Sequence, residues 1–161
     1  MLIHGYGSNE EDLFSFAQDL PQNAHIISVR ALHDIVYGGY AWYDINFVNN
    51  EKWMDETQAI ESRNKLVEFI DAIVQQENLD DANVTLMGFS QGAILSYAIS
   101  LNNPEKIKNV AILSGYPEAK IIGDFDQSKD FSNLNFFVSH GTEDVVSVSY
   151  THLRAHETKA N

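Results

Sequence analysis

A serine framed by two glycines, Gly88-Phe89-Ser90-Gln91-Gly92, is the arrangement in this chain best suited to covalent chemistry. It follows Val84-Thr85-Leu86-Met87, a short apolar run that reads as a strand, and precedes Ala93 to Leu101, where apolar residues recur at helical spacing. A tight turn between a strand and a helix is the setting that a nucleophile elbow requires. Such a turn strains the serine backbone and exposes its hydroxyl. Any side chain at Gly88 or Gly92 would collide with the adjoining strand and helix. The helix N-terminus adds partial positive charge where an oxyanion would form. The same five residues also fit a plain glycine-rich turn whose serine caps the helix, so the pattern leaves both readings standing.

A serine nucleophile needs an imidazole to take its proton, and the imidazole needs a carboxylate to hold its tautomer. The chain has no cysteine, which excludes a thiol nucleophile, a disulfide framework and a cysteine-zinc site. No histidine and carboxylate spacing suits a metal: Asp124, Asp126 and Asp130 lack the glycine and glutamate of a calcium loop. Asp144, taken alone, is a turn or capping acid like many others. Trp42, Tyr43 and Tyr116 fit the wall of a substrate pocket and fit the core equally well.

The elements that would position these residues are legible from periodicity. Asn9 to Ala17 has helix chemistry, with the acids Glu10, Glu11 and Asp12 forming a solvated first turn. His25 to Val29 reads as a strand. Residues 33–53, with Gly38-Gly39, three tyrosines and two tryptophans, read as a long irregular aromatic loop. Asp55 to Gln76 is the clearest helix. Asp55 and Gln58 form a capping pair, Ile60, Val67, Ile70 and Val74 share one face beside Leu66 and Ile73, and Glu61, Lys65, Glu68 and Gln75 lie opposite. Asn102-Asn103-Pro104 stops the helix that follows Ser90. Val110 to Leu113 has no polar alternation, as in a strand buried on both faces. Leu134 to Ser139 is a further strand. Strands alternating with helices predict an α/β fold with a parallel sheet covered on both sides.

The chain has 161 residues, 44% of them hydrophobic, without repeats or a linker, and reads as one globular domain. Its net charge of −13, from 23 acids and 10 bases, repels phosphate backbones and anionic lipid heads. Nucleic-acid and membrane-surface binding are therefore disfavoured. No apolar run approaches the roughly 18 residues of a membrane span.

Five blocks in order give a specific resemblance: His4-Gly5-Tyr6-Gly7, Gly38-Gly39-Tyr40-Ala41-Trp42-Tyr43-Asp44, Gly88-Phe89-Ser90-Gln91-Gly92, Leu113-Ser114-Gly115 and His140-Gly141-Thr142-Glu143-Asp144-Val145-Val146. In these the chain resembles the phospholipase/carboxylesterase family of α/β-hydrolases, the acyl-protein-thioesterase-like serine esterases. The resemblance implies the α/β-hydrolase fold, a mostly parallel sheet with helices on both faces. It implies Ser90 as nucleophile, Asp144 as the acid that orients the base, and backbone N–H groups of Tyr6 and Gln91 as the oxyanion hole. Trp42 and Tyr116 are the candidate substrate contacts. The implied reaction is hydrolysis of a small-molecule ester through an acyl-enzyme, without a cofactor and in a cytoplasmic setting. A thioesterase or lysophospholipase of the same fold, or a non-catalytic binding relative, are the alternatives, and the oligomeric state stays open. The family order Ser, Asp, His leaves His4, His25, His33 and His140 as packing or hydrogen-bonding residues. It places the catalytic histidine on a loop one strand beyond the acid.

The two ends carry expectations of their own. Met1-Leu2-Ile3 resembles the last step of a strand, and is too short for the apolar stretch of a secretory signal. Val148 to Thr158 resembles one reading frame of a transposase sequencing adaptor; the other reading is an exposed polar helix. On the adaptor reading, residues 1–146 are an α/β-hydrolase domain truncated at both ends, residues 147–161 are a non-native tail, and His152 and His156 have no role. The 161 residues as written are then expected to unfold without a cooperative transition and to hydrolyse p-nitrophenyl acetate poorly. Urea denaturation and a turnover assay check this, and a stability of several kcal/mol would count against it.

Overall fold

A computed structural model describes residues 1–36, 38–48 and 51–141. Its centre is a five-stranded sheet in the order β2-β1-β7-β8-β9. The strands are β1 (Leu2–Ile3), β2 (Ser28–Val29), β7 (Val84–Phe89), β8 (Ile107–Leu113) and β9 (Asn135–Ser139). Every pairing in it is parallel, with Ile3 beside both Val29 and Gly88, Gly88 beside Ile112, and Leu113 beside Ser139. The carboxyl ends of the strands therefore finish at one level, and the segments that follow them gather along one edge, where open α/β sheets hold their ligands.

Two helices pack directly on this sheet and a third packs on one of them. The helix α1 (Glu10–Phe14) is capped by the Asn9 side chain, which accepts the Glu11 N–H, and it packs on β1 and β2. It is shorter than the predicted 9–17, because a 3-10 turn at Ala17–Asp19 takes over its end. The helix α2 (Glu56–Gln76) has the predicted limits, with Asp55 accepting the Gln58 N–H at 3.0 Å. The helix α3 (Gln91–Asn102) packs on β1, β7 and β8, and nine of its twelve residues are buried, among them Leu95, Ala98 and Ile99. Ser96 and Ser100 sit in this apolar surround only because their hydroxyls donate back to the carbonyls of Gly92 and Tyr97. A short helix, α4 (Ala119–Ile122), is fastened to α2 by Arg63, which donates to the carbonyls of Ile121 and Ile122, and to α3 by Asn102.

Two expectations are corrected. The 33–53 segment is not irregular throughout. Among its described residues β3 (His33–Asp34) pairs antiparallel with β4 (Tyr40–Ala41), and β5 (Ile45–Val48) with β6 (Glu51–Met54). A long connection must satisfy its backbone N–H and C=O groups, and local pairing does so. Gly38 and Gly39, at φ 92° and 84°, take the left-handed turn between β3 and β4. The buried face of α2 follows the predicted one at Leu66, Val67, Ile70 and Val74 but departs from it in the first turns. Ala59, Ser62, Leu66 and Ile70 are buried, while Ile60 is 36% exposed. A small residue and a serine face inward because α2 lies close against α3 and Trp42. The outer strand β9 is exposed along its length, although Phe136 stacks on Tyr97 at 5.4 Å.

Among the described residues no helix is long and apolar enough to cross a membrane. The inward face of α2 has a direct test. In urea denaturation of the full-length protein, Leu66→Ala should lower stability by about 2–5 kcal/mol and Ile60→Ser by less than about 1 kcal/mol.

Candidate active site

The turn between β7 and α3 is built on two close backbone contacts. A Cβ at Gly88 would lie 2.4 Å from the Gly92 carbonyl oxygen, and one at Gly92 would lie 2.0 Å from that of Ile3. Both glycines are thus sterically required, as the pattern predicted. The last residue before α3 is Ser90, with φ 51° and ψ −113°. This is a backbone region that costs a non-glycine residue about 1–3 kcal/mol. The surroundings hold it there: the Ser90 N–H donates to Leu113 O at 2.9 Å and its carbonyl accepts the Ile94 N–H at 3.0 Å. Among the described residues the Ser90 hydroxyl makes no capping hydrogen bond to α3. A plain capping serine would make one.

The loop after β1 lies against this turn. A Cβ at Gly5 would sit 3.3 Å from the Ser90 Cβ and 2.9 Å from the Phe89 ring. Tyr6 follows at the exposed tip of the loop, which a bond from Ser8 N–H to Gly5 O closes at 3.3 Å. Ser114, at the end of β8, also has a positive φ, 52°, and its N–H donates to Ser139 O at 2.8 Å. The ends of β1, β7, β8 and β9 thus converge around Ser90. Asp144 lies outside the described residues.

Behind the surface residues is a buried polar frame that sequence reasoning missed. Trp42 is 1% exposed, with all its polar groups paired. Its N–H donates to Gln91 Oε1 at 3.0 Å, its indole Nε1–H to His4 O at 2.8 Å, and its carbonyl accepts the Ser62 hydroxyl at 2.5 Å. Trp42 and Tyr43 are therefore core residues, one of the two readings open to them, and Trp42 offers no surface for substrate contact. Tyr116 is half-buried and packs against the same core. Burial, reinforced by Tyr116 and Glu118 nearby, pushes the Tyr43 phenol well above its usual range, so it stays protonated. Nothing in the local pattern marked Ser62 or the Gln91 side chain. The only available signal was that both are polar residues at positions of buried helical spacing.

The imidazole of His4 is fully buried and occupied at both nitrogens. Nδ1 lies 2.7 Å from Gly5 O and Nε2 accepts the Ala31 N–H at 3.1 Å, which fixes the proton on Nδ1. The ring also packs against Trp42 at 5.4 Å. Outside, Arg30 pairs with Glu10 and stands 4.7 Å over the Tyr40 ring; the guanidinium holds the Glu10 carboxyl down at about 2. His33 on β3 has a buried Nε2 without a hydrogen-bond partner among the described residues. No group of three metal-ligating side chains occurs among those residues.

Burial lowers the His4 pKa from 6.5, outweighing the opposing Gly5 hydrogen bond and the Asp12 and Glu10 charges. The unfolded chain therefore takes up a proton that the folded chain resists. The contribution of His4 to stability should be full above about pH 6.5 and decline as the pH falls below it. Denaturation midpoints of the full-length protein between about pH 7.5 and 5 should show this slope, and it should flatten in His4→Asn.

A family model described as Phospholipase/Carboxylesterase matches residues 1–159. The chain is 26% identical over 144 residues to the Bacillus subtilis protein MhqD, covering 89% of this chain and 68% of that protein. It is 29% identical over 164 residues to acyl-protein thioesterase 1 of Saccharomyces cerevisiae, covering 90% and 68%. Among solved structures, a carboxylesterase from Mesorhizobium loti shares the fold with a TM-score of 0.69 at 19% identity, covering 85% of this chain and 62% of that one. The chain thus spans about two thirds of the length of these relatives.

Proposed function

The chain belongs to the phospholipase/carboxylesterase family, and from that premise we propose that it is the nucleophile-bearing part of a serine hydrolase acting on carboxylic esters. The observation that carries this reading is the Ser90 backbone. It holds a left-handed conformation at the start of a helix, with a hydroxyl that makes no capping bond to it. Ser90 attacks the ester carbonyl carbon as an imidazole takes the hydroxyl proton. The N–H groups of Gln91 and Tyr6 receive the oxyanion, each stabilising it by about 3–4 kcal/mol. The C–O bond to the alcohol breaks, the imidazolium returns its proton to the leaving oxygen, and an acyl-enzyme remains. Water, activated by the same imidazole, then releases the acid.

Asp144 orients the imidazole on this reading. Each of His4, His25, His33 and His140 precedes it, whereas the family order places the base after the acid. The two ring nitrogens of His4 are in any case already engaged. Tyr116 forms part of the wall of the acyl or alcohol pocket, and Trp42 supports the site from behind. With 23 acids against 10 bases, the surface favours neutral substrates over polyanions. Thioester cleavage is the second reading, favoured by the similarity to the yeast acyl-protein thioesterase.

Fluorophosphonate treatment of the full-length gene product should label Ser90 and leave Ser90→Ala unlabelled. The same substitution should lower turnover of p-nitrophenyl acetate by about 10^4- to 10^6-fold. Absence of label at Ser90 would sink the reading, and comparing kcat/KM for matched esters and thioesters decides between the two substrates.

A further inference from the structure

We propose that the Gln91 side chain is a positioning residue that sets the distance between the two oxyanion donors, its own amide and that of Tyr6. The inference rests on the serine-hydrolase reading for its catalytic consequence, and on the hydrogen-bond frame for its geometry. Gln91 is 1% exposed, and both ends of its amide are used. Oε1 accepts the Trp42 N–H at 3.0 Å, and Nε2 donates to the Tyr43 carbonyl at 2.7 Å. These bonds grip one segment, residues 42–43. The preceding residues of that segment grip the Tyr6 loop: the Gly7 N–H donates to Tyr40 O at 2.9 Å, and the Tyr40 N–H donates to Ser8 O at 2.8 Å. The Trp42 indole closes the circuit on His4 O. From the start of α3 to the Tyr6 loop there is thus a ring of hydrogen bonds running through the Gln91 side chain.

Glutamine suits this place for a chemical reason. One side must accept from an N–H and the other must donate to a C=O, two residues that are neighbours in sequence. A carboxylate would turn a lone pair toward the Tyr43 carbonyl, and a leucine would leave both backbone groups unpaired in the interior. Either change frees the 40–43 segment to shift, and the Tyr6 loop with it. An oxyanion hole loses effect when a donor moves by a fraction of an ångström, so the loss falls on the transition state and not on substrate binding.

The test uses Gln91→Glu and Gln91→Leu in the full-length protein. The kcat for p-nitrophenyl acetate should fall about 10- to 100-fold with KM within about twofold, since one preset donor is displaced. In Gln91→Glu, protonation restores a donor toward Tyr43 O, so the variant-to-parent kcat ratio should climb as the pH falls from about 8 to about 5.5. A role confined to stability would lower the melting temperature and leave both quantities flat. Amide hydrogen exchange at residues 4–8 should rise at least about tenfold in both variants, while β7 and β8 keep their protection. Parent-like kcat in folded variants, a pH-independent ratio, or unchanged exchange at residues 4–8 would each overturn the proposal. A parent protein that takes no fluorophosphonate at Ser90 counts against the hydrolase reading alone, and the exchange result then decides the positioning by itself.

Discussion

The contact on which the structure depends is the approach of the first turn of α3 to the end of β1. Gly92 lies so close to Ile3 that a single added carbon would meet its carbonyl oxygen at 2.0 Å and that of His4 at 2.7 Å. With the helix that near the strand, the chain leaving β7 must turn within one residue, and Ser90 takes the left-handed conformation as a result. The cost of that conformation is offset by the pairing of its N–H with β8 and of its carbonyl with α3. The same proximity brings the loop after β1 to the side of Ser90. One steric contact therefore fixes a strained serine, a helix N-terminus and a neighbouring loop at the same place.

Around this contact the interior is not purely apolar. His4, Ser62, Gln91 and the polar groups of Trp42 are buried and mutually hydrogen-bonded, largely through backbone atoms of residues distant in sequence. A hydrogen bond of this kind adds little net stability, but leaving one member unpaired in a low-dielectric interior is costly. Such a frame admits one arrangement of its parts. Its effect here is to hold the 40–43 segment, the Tyr6 loop and the start of α3 in a fixed relation, while the apolar contacts of Leu95, Ile99 and Ile112 supply the driving force for burial.

The likeness to a carboxylesterase at 19% identity establishes a shared fold, and one fold supports many chemistries. What narrows the chemistry is local: the serine conformation, the glycine contacts and the convergence of strand ends. These features are geometric, and they would be the same whether the leaving group were an alcohol or a thiol. That choice depends on the groups that line the pocket, for which Tyr116 is the described candidate.

Much of the fold was legible because it is written locally. Capping by Asp55, the limits of α2, the strand–turn–helix around Ser90 and the two required glycines all follow from residues within a few positions of one another. The paired strands inside residues 33–54 were not legible, since each is only two to four residues long and gains its identity from its partner. The inward residues of the first turns of α2 were misplaced for a related reason. Apolar periodicity pointed to Ile60, but the surface that α2 meets has a carbonyl, that of Trp42, which selects Ser62 instead. The sequence alone thus determined the strand, turn and helix that hold Ser90 and the glycines they require, because strain and capping are short-range. Only the tertiary structure decided that Trp42 is a buried anchor and that the Gln91 side chain ties two distant segments together. Those roles are set by hydrogen-bond partners 20 to 49 residues away, whose placement no local pattern encodes.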